Sequence, residues 1–222
     1  MTMDEMKLIG YWSSPLALRI EWSLKLKGID YEYVEETEPR KSPLIAKYNP
    51  IKKQIPVLVH DEKHIPESLI VLEYLDEIST DQNKLLPEDP YERARARFWA
   101  KFVDDKVTPV LVGSFSKQGE ELEGAVKEAG EALRTLEQAL GGKRFFGGDD
   151  VGFVDVAAGW FAYWVPIMED ILGLKIIDEK EAPALKKWFG EFLDLPCVKE
   201  RLPAREKLVS HLRDLRKARM SG

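Results

Sequence analysis

Apolar residues in the first eighty positions recur with two different periods, so short strands alternate with helices. Leu18, Trp22 and Leu26 are four residues apart, which predicts a helix over 15–27. The order βαβαββα implies parallel pairing early in the sheet and an antiparallel hairpin across Asp61-Glu62. The remaining predicted elements are strands at 7–11, 31–34, 56–59 and 63–65, and helices at 42–47 and 68–78.

Beyond residue 80 the pattern changes to helices alone. Residues 80–90 are polar and contain prolines, which is typical of a linker. Helical patterns cover 91–111, 120–140, 155–172, 183–193, 198–202 and 206–217. We expect Pro109 to kink or end the first of these helices because proline lacks an N–H donor. The sequence therefore predicts an α/β domain at 1–81, a linker at 82–90 and an all-helical domain at 91–222.

The composition describes a globular protein and narrows the choice of partner. The 222 residues are 44% hydrophobic, which is enough for a packed core. A net charge of −6 argues against nucleic acid as the main partner. Positions 199–219 nevertheless hold eight Lys or Arg against three Asp or Glu. Such a charge run is typical of a solvated last helix.

Cysteine use and hydropathy indicate the compartment. Cys197 is the single cysteine, so an intrachain disulfide is excluded and a reducing compartment fits. The N-terminus lacks the features of a secretory signal, and no apolar run reaches the ~18–20 residues of a membrane span. We expect a cytoplasmic protein with no membrane partner. His60, His64 and His211 lack ligand spacing, so we predict no metal site.

Two dipeptides bracket the predicted hairpin and carry candidate binding chemistry. Pro56 follows Ile55 at the start of a strand, where it is either an ordinary trans edge proline or a cis proline that exposes neighbouring backbone. Glu67-Ser68 opens the next helix, where Ser68 either caps the helix or holds a carboxylate together with N–H groups. Since Glu67 would balance an ammonium group, the pair suits the α-amino-acid end of a short acidic peptide.

Ser14 lies between the first strand and the first helix, directly before Pro15. One interpretation is a helix N-cap, with the proline at the first helical position. The other is a hydroxyl that donates to a thiolate, because a helix N-terminus stabilises an anion placed there. The sequence alone leaves both roles open for this serine.

The order of these features resembles a known family. It is the order found in the thioredoxin-like glutathione-binding domain of the cytosolic glutathione transferases, and its details are most similar to the plant tau class. The resemblance covers essentially the whole chain. The segments that carry it are Trp12-Ser-Ser14-Pro15, Lys41-Ser-Pro43, Asn49-Pro50, Gln54-Ile55-Pro56, Glu67-Ser68, Arg97-Phe-Trp-Ala100, Phe102-Val-Asp-Asp-Lys106 and Val151-Gly-Phe-Val-Asp155.

The resemblance implies a thioredoxin-like N-terminal domain (βαβαββα), an all-α C-terminal domain and glutathione transferase activity. Ser14 would be the catalytic hydroxyl that hydrogen-bonds the glutathione sulfur, and the thiolate would attack hydrophobic electrophiles. Ile55 would pair through its backbone with the cysteinyl unit of glutathione, next to a cis Pro56. This contact would be strand addition by a very short peptide.

The same resemblance assigns the two ends of glutathione. Glu67 and Ser68 would hold the γ-glutamyl end. Lys41 would face the glycine carboxylate, together with either Lys53 or Gln54. Tau-class relatives often have lysine directly before Ile-Pro, whereas this chain has Gln54, so both neighbours stay candidates for that contact.

The resemblance also implies a hydrophobic acceptor site in a cleft between the domains. Its residues would be Leu16, Leu111, Phe115 and Trp164, and core packing is the competing interpretation for each of them. Relatives usually have phenylalanine after Ser-Pro, whereas Leu16 stands here, so a ring contact near the sulfur is missing.

Further implications concern folding, assembly and role. Gly152 and Asp155 match the motif that caps the buried helix, so we interpret them as fold residues. The family implies a homodimer, with the N-terminal domain of one subunit against the helical domain of the other. Glutathione would be a cosubstrate, no cofactor would be permanently bound, and the role would be detoxification and the stress response.

Two other functions use the same pocket. A carrier of hydrophobic ligands would bind them in this cleft without turnover. A glutathione-dependent peroxidase or reductase is the other alternative. Ser14 argues against a thiol-transferring reductase, because family members with that activity have cysteine at this position.

Overall fold

The computed structural model describes residues 5–38, 41–80 and 84–220. Positions 82 and 83 of the expected linker and the extreme termini lie outside the described residues. The chain divides into two compact units. The first comprises 1–84 and 196–202, and the second comprises 85–195 and 203–222. The sequence pattern assigns 196–202 to the helical domain and does not indicate that this segment belongs to the first unit.

The first unit contains four strands and three helices in the predicted order βαβαββα. Each bound lies within one or two residues of its prediction, and Pro15 and Pro43 fix where two of the helices begin. The elements are β1 (Met6–Gly10), α1 (Pro15–Leu26), β2 (Glu32–Glu35), α2 (Pro43–Tyr48), β3 (Val57–His60), β4 (Lys63–Pro66) and α3 (Ser68–Ile78).

The four strands form one mixed sheet in the order β2-β1-β3-β4. β1 and β2 are parallel, as predicted for strands joined by a helix. β3 and β4 form the predicted antiparallel hairpin, which turns at Asp61 with a φ of 55°. β3 also pairs antiparallel with β1, a pairing that places the end of β1 beside the start of β3.

Alternate side chains of the sheet fill two separate cores. On one face Met6, Leu8 and Leu58 pack with apolar residues of α1 and α3. On the other face Ile9 and the valines of β3 pack with Ile45 of α2. The sheet is therefore covered by apolar side chains on both faces.

The named elements of the second unit are all helices. They are α4 (Pro90–Phe102), a π-helical turn (Val103–Val107), α5 (Thr108–Ser114), α6 (Gly119–Leu140), α7 (Phe153–Ala158), α8 (Trp160–Leu172), α9 (Pro183–Leu193) and α11 (Arg205–Met220). The short α10 (Pro196–Lys199) belongs to the first unit. Gly141 ends α6 in the left-handed conformation, with a φ of 59°.

Two helices differ from their predictions. Of the two outcomes expected at Pro109, an end of the helix is wrong: the helical segment continues to Ser114, and a π-helical turn interrupts the α-helix immediately before the proline. The predicted helix at 155–172 is divided at Gly159. A Cβ atom at that glycine would lie 2.2 Å from the ring of Phe192, so close packing of α9 requires glycine there.

Candidate functional site

The register of the sheet brings the three segments of the predicted glutathione site to one edge. Ile9 pairs with Val57, and Val57 pairs with Pro66. The end of β1, the start of β3 and the end of β4 are therefore neighbours, with adjacent strands about 4.8 Å apart. Ser14 follows β1, Ile55-Pro56 precedes β3, and Glu67-Ser68 follows β4. Residues more than fifty positions apart thus converge on one polar edge.

Ser14 is the N-cap of α1, and Pro15 takes the first helical position. Its Oγ accepts a hydrogen bond from the Ala17 N–H at 3.2 Å. A hydroxyl carries one donor and two acceptor lone pairs, so capping uses acceptor capacity and leaves the O–H donor for another group. The two interpretations of Ser14 are therefore compatible with each other.

The loop before β3 is arranged by a buried asparagine. The Nδ2 group of Asn49 donates to the Gln54 carbonyl at 2.9 Å, and its Oδ1 accepts from the Lys52 N–H at 3.2 Å. Lys53 takes a φ of 52° in this loop. The Ile55-Pro56 peptide bond is cis, as the resemblance implies, and Ile55 packs against the core beneath β3. The sequence shows Asn49 only as part of the motif Asn49-Pro50 and does not indicate its role in this loop.

Glu67 and Ser68 begin α3 with roles that differ from simple serine capping. Glu67 is the N-cap residue, with a φ of 72° and no side-chain bond to its own helix. Ser68 is already helical and only 6% exposed, so the interpretation that Ser68 caps the helix is wrong. The first N–H groups of a helix lack partners within it and form a site for a carboxylate.

Two basic side chains contact this pair, and the sequence analysis assigned neither of them. Lys52 Nζ lies 3.0 Å from Glu67 Oε1, and both side chains are about half exposed (56% and 47%). Arg19, fully buried in α1, donates from Nη1 to the Ser68 Oγ at 3.3 Å. The sequence does place Arg19 in the middle of an apolar helix face, and this is the feature that could have indicated the contact with Ser68.

The residues proposed for the glycine end are more dispersed. Lys41 is 79% exposed, and its Nζ lies 3.7 Å from a carboxylate oxygen of Glu38. Lys53 and Gln54 are both exposed in the loop that Asn49 arranges. The structure thus leaves all three side chains at the surface of the first unit.

The four residues predicted for the acceptor site differ in exposure. Leu16 is partly buried in the first turn of α1. Leu111 is fully buried in α5, whereas Phe115 and Trp164 each retain 3% exposure. Trp164 packs edge-on against the rings of Trp160 and Tyr163.

Asp155 is a fold residue, as predicted. Its carboxylate is fully buried in the first turn of α7. It accepts from the backbone N–H groups of Phe146, Gly147 and Gly152 at 2.8–3.0 Å and from the indole N–H of Trp188 at 2.7 Å. Burial raises the pKa of this carboxyl group, and the four donors oppose that rise because they favour the charged form.

A metal centre and a membrane-spanning helix are two further features that would bear on function. Within the described ranges, no group of three or more His, Cys, Asp or Glu side chains is arranged to hold a metal ion. None of the described helices has both the length and the apolar character that crossing a membrane requires.

Comparisons with known proteins agree with this architecture. Residues 4–77 match the family model "Glutathione S-transferase, N-terminal domain", and residues 119–191 match "Glutathione S-transferase, C-terminal domain". The chain is 48% identical over 204 residues to Glutathione transferase GST 23 of Zea mays, with 92% of each chain covered. It is 46% identical to Glutathione S-transferase U8 of Arabidopsis thaliana, over 95% of this chain and 94% of the relative.

Two solved structures share the fold over nearly their whole length. A tau-class glutathione S-transferase from mango (Mangifera indica) gives a TM-score of 0.89 at 43% identity and covers 95% of this chain and 98% of its own. Rice GST1 in complex with glutathione gives a TM-score of 0.91 at 36% identity, with 98% and 99% covered. The chain therefore belongs to the glutathione S-transferase family, and it is similar to the plant tau class, as its motifs predict.

Proposed function

We propose that this protein conjugates glutathione to hydrophobic electrophiles and that Ser14 stabilises the reacting thiolate. The observation that supports this role is the hydrogen bond from the Ala17 N–H to the Ser14 Oγ at 3.2 Å. It fixes the hydroxyl at the N-terminus of α1 and leaves its O–H to donate to sulfur. The helix end adds a favourable partial positive charge at the same place.

The size of this effect is sufficient for the chemistry. A free thiol has a pKa of about 8.5, so little thiolate is present at neutral pH. A hydrogen bond to a charged group contributes about 1.5–3 kcal/mol, and one pKa unit corresponds to about 1.36 kcal/mol. One such bond together with the helix end lowers the thiol pKa by roughly one to two units. At the larger of these shifts, thiolate becomes the major species at neutral pH.

The reaction is a nucleophilic displacement or addition. The thiol proton passes to solvent, and a sulfur lone pair forms a bond to the electrophilic carbon. Where that carbon carries a halide, the carbon–halogen bond breaks and the halide leaves with its electron pair. Ser14 donates a hydrogen bond throughout and forms no covalent bond itself.

Glutathione is held, in this proposal, along the polar edge of the first unit. The carboxylate of Glu67 binds the γ-glutamyl ammonium group, and the Ser68 hydroxyl and N–H bind the adjacent carboxylate. The backbone of Ile55 pairs with the cysteinyl unit. Lys41, with Lys53 or Gln54, binds the glycine carboxylate. The shared edge that the Ile9, Val57 and Pro66 register creates supports this assignment.

The electrophile is bound, in the same proposal, by apolar side chains. Phe115 and Trp164 each keep 3% exposure for this contact, whereas Leu111 is fully buried in α5, four residues before the C-cap residue Phe115. Leu16, two residues after Ser14, is the fourth member. In this proposal glutathione is bound by the first unit, and three of the four acceptor side chains belong to the helical unit.

We also propose a cytoplasmic homodimer that serves detoxification and the stress response. Tyr91 and Phe98 support the assembly, because they lie seven residues apart on α4 and are 70% and 61% exposed. Exposed aromatic residues on one helix face favour a protein partner. Light scattering at micromolar concentration should give the mass of a dimer, and a monomer would contradict the assembly.

Rates of glutathione conjugation with a panel of electrophiles test the proposed function. The wild-type protein should conjugate chlorodinitrobenzene and related aryl halides, and Ser14→Ala should slow every member of the panel. If Ser14→Ala changes none of the rates, the catalytic role fails, and binding without turnover would indicate a carrier. Robust disulfide reduction by the wild type would instead indicate a reductase, an activity that we expect only from Ser14→Cys.

A further inference from the structure

The basic C-terminal helix α11 is not merely a solvated surface. Leu208 and Leu212 anchor one face of it in the second unit, at 0% and 9% exposure. Arg216 follows Leu212 by four residues, and Arg219 follows Arg216 by three, so both arginines continue the anchored face. Arg216 is partly buried and Arg219 is exposed, and both side chains reach specific partners.

Those partners are backbone carbonyl groups at the C-terminal end of α5. The Nη1 group of Arg216 donates to the carbonyls of Ser114 and Phe115 at 3.4 and 3.3 Å, and its Nη2 group donates to the carbonyl of Lys117 at 3.2 Å. The Nη1 group of Arg219 donates to the Val112 carbonyl at 2.9 Å. Two arginines thus bind four carbonyls about one hundred positions earlier in the chain.

The carbonyls that these arginines bind lie where the helical hydrogen-bond pattern of α5 ends, and those of Val112 and Ser114 also accept from the N–H groups of Phe115 and Lys117 at 3.4 and 3.2 Å. The last carbonyls of a helix have no partners within it, and a cation there interacts favourably with the helix dipole. Ser114 uses its own hydroxyl to satisfy the Leu111 carbonyl at 2.7 Å. The planar guanidinium group can donate several hydrogen bonds in a fixed geometry, which a lysine cannot do. The arginine pair therefore fixes the turn from α5 into α6.

We propose that Arg216, supported by Arg219, is a positioning residue for the acceptor site, because it holds the end of α5 that carries Leu111 and Phe115. This inference rests on the proposed function, which places Phe115 at the electrophile, with the fully buried Leu111 four residues before it in the chain. Arg216 itself does not touch substrate. Arg216 acts by fixing the backbone at 112–117, because a small displacement of that backbone changes the position of the Phe115 ring.

The proposal makes a claim about specificity. A loosened α5 end should change the fit of large electrophiles more than that of compact ones. The glutathione contacts lie in the first unit and should keep their KM. A simple loss of folded protein would lower kcat for all electrophiles by one factor and would leave their ratio unchanged.

The test compares Arg216→Met, Arg216→Lys and the matched control Arg213→Met. Arg213 is on the same helix, but it is exposed and lies away from the anchored face. Its replacement by methionine removes the same charge as Arg216→Met does. We expect Arg216→Met to raise KM for a bulky electrophile by roughly three- to tenfold, and that for a compact one by about twofold or less. KM for glutathione should stay within about twofold. Arg216→Lys should recover part of the loss, and Arg213→Met should match the wild type.

Hydrogen exchange gives a second readout that needs no substrate. Exchange of the amides at 115–118 should be faster in Arg216→Met than in the wild type and Arg213→Met. Unchanged exchange would overturn the proposal because the contacts would not hold the turn. Faster exchange with an unchanged ratio of kcat/KM between bulky and compact electrophiles would also overturn it, because Arg216 would then be purely structural. Failure of the proposed function shows separately, as unchanged conjugation in Ser14→Ala.

Discussion

Two carboxylates lie at the N-terminal ends of helices, one in each unit, and their surroundings are opposite. Asp155 is fully buried in the first turn of α7 and accepts four N–H groups within 3.0 Å. Glu67 is the N-cap residue of α3, yet its side chain makes no bond to that helix and is about half exposed. A carboxylate saturated by its own fold stabilises the fold, whereas one left accessible at a helix start is available to a ligand.

The largest expected effect is on folding, and it comes from the saturated carboxylate. Asp155→Ala leaves four N–H donors without their acceptor, two of them in buried bonds and two in part-buried ones, so the free energy of unfolding should fall by about 3–5 kcal/mol. Urea unfolding measures this change. The exposed Asp149→Ala is the matched control and should stay within about 0.5 kcal/mol of the wild type. A loss below about 1 kcal/mol in Asp155→Ala would contradict the structural role.

The second effect is on catalysis, and it separates two serines with the same local geometry. Ser14 and Ser42 each cap a helix by accepting from an N–H group three residues on, at 3.2 Å. Either change to alanine should cost about 1 kcal/mol of stability. Ser14→Ala should also lower kcat/KM for conjugation by roughly 10- to 100-fold, because one hydrogen bond to a thiolate is lost. Ser42→Ala should retain near-normal kcat/KM, and equal losses in both variants would contradict the account.

The third effect tests the accessible carboxylate directly. Glu67→Gln keeps the shape of the side chain but removes the charge that would bind the γ-glutamyl ammonium group. KM for glutathione should rise by about tenfold, while the free energy of unfolding changes by less than about 0.5 kcal/mol. The exposed Glu62→Gln is the control. An unchanged KM in Glu67→Gln would show that this carboxylate does not bind the ligand.

The smallest effect concerns a third carboxylate, which is buried but has fewer donors. Glu21 is 8% exposed, accepts from the Tyr31 hydroxyl at 2.8 Å, and lies 3.6 Å from Arg201. Burial is the main cause that raises its pKa above the ordinary value of 4.5. The folded state therefore keeps this proton longer than the unfolded state does, so stability should decrease as the pH rises from that value through the folded-state pKa.

Unfolding measured in urea across this pH window checks the sign. Glu21→Gln removes the titration, so the stability of the wild type relative to this variant should decrease as the pH rises above 4.5. A relative stability that increases with pH would mean that Arg201 and Tyr31 outweigh the effect of burial.

The sequence predicts local features of this protein well. Ser14-Pro15 marks the start of α1, and Asp155 marks the first turn of α7, because caps are short-range signals. The order of strands and helices in the first unit follows from hydrophobic spacing. The family resemblance then supplied the cis Ile55-Pro56 peptide bond, which no local pattern distinguishes from a trans edge proline.

Contacts between distant segments could not be read from the sequence. The antiparallel pairing of β3 with β1, the Lys52–Glu67 ion pair and the Arg216 contacts with α5 each depend on tertiary packing. Periodicity shows which face of a helix is apolar, but not which carbonyl a long flexible arginine will reach. The basic tail therefore looked like a solvated helix, although two of its arginines have specific partners.

The pKa of the bound glutathione thiol tests the central claim most directly. Ultraviolet absorbance of the thiolate can be titrated with pH in the wild type, Ser14→Ala and the capping control Ser42→Ala, each saturated with glutathione. We predict a thiol pKa about one to two units below 8.5 in the wild type and Ser42→Ala, and a value about one unit higher in Ser14→Ala. The same thiol pKa in all three proteins would contradict the role of the Ser14 hydroxyl.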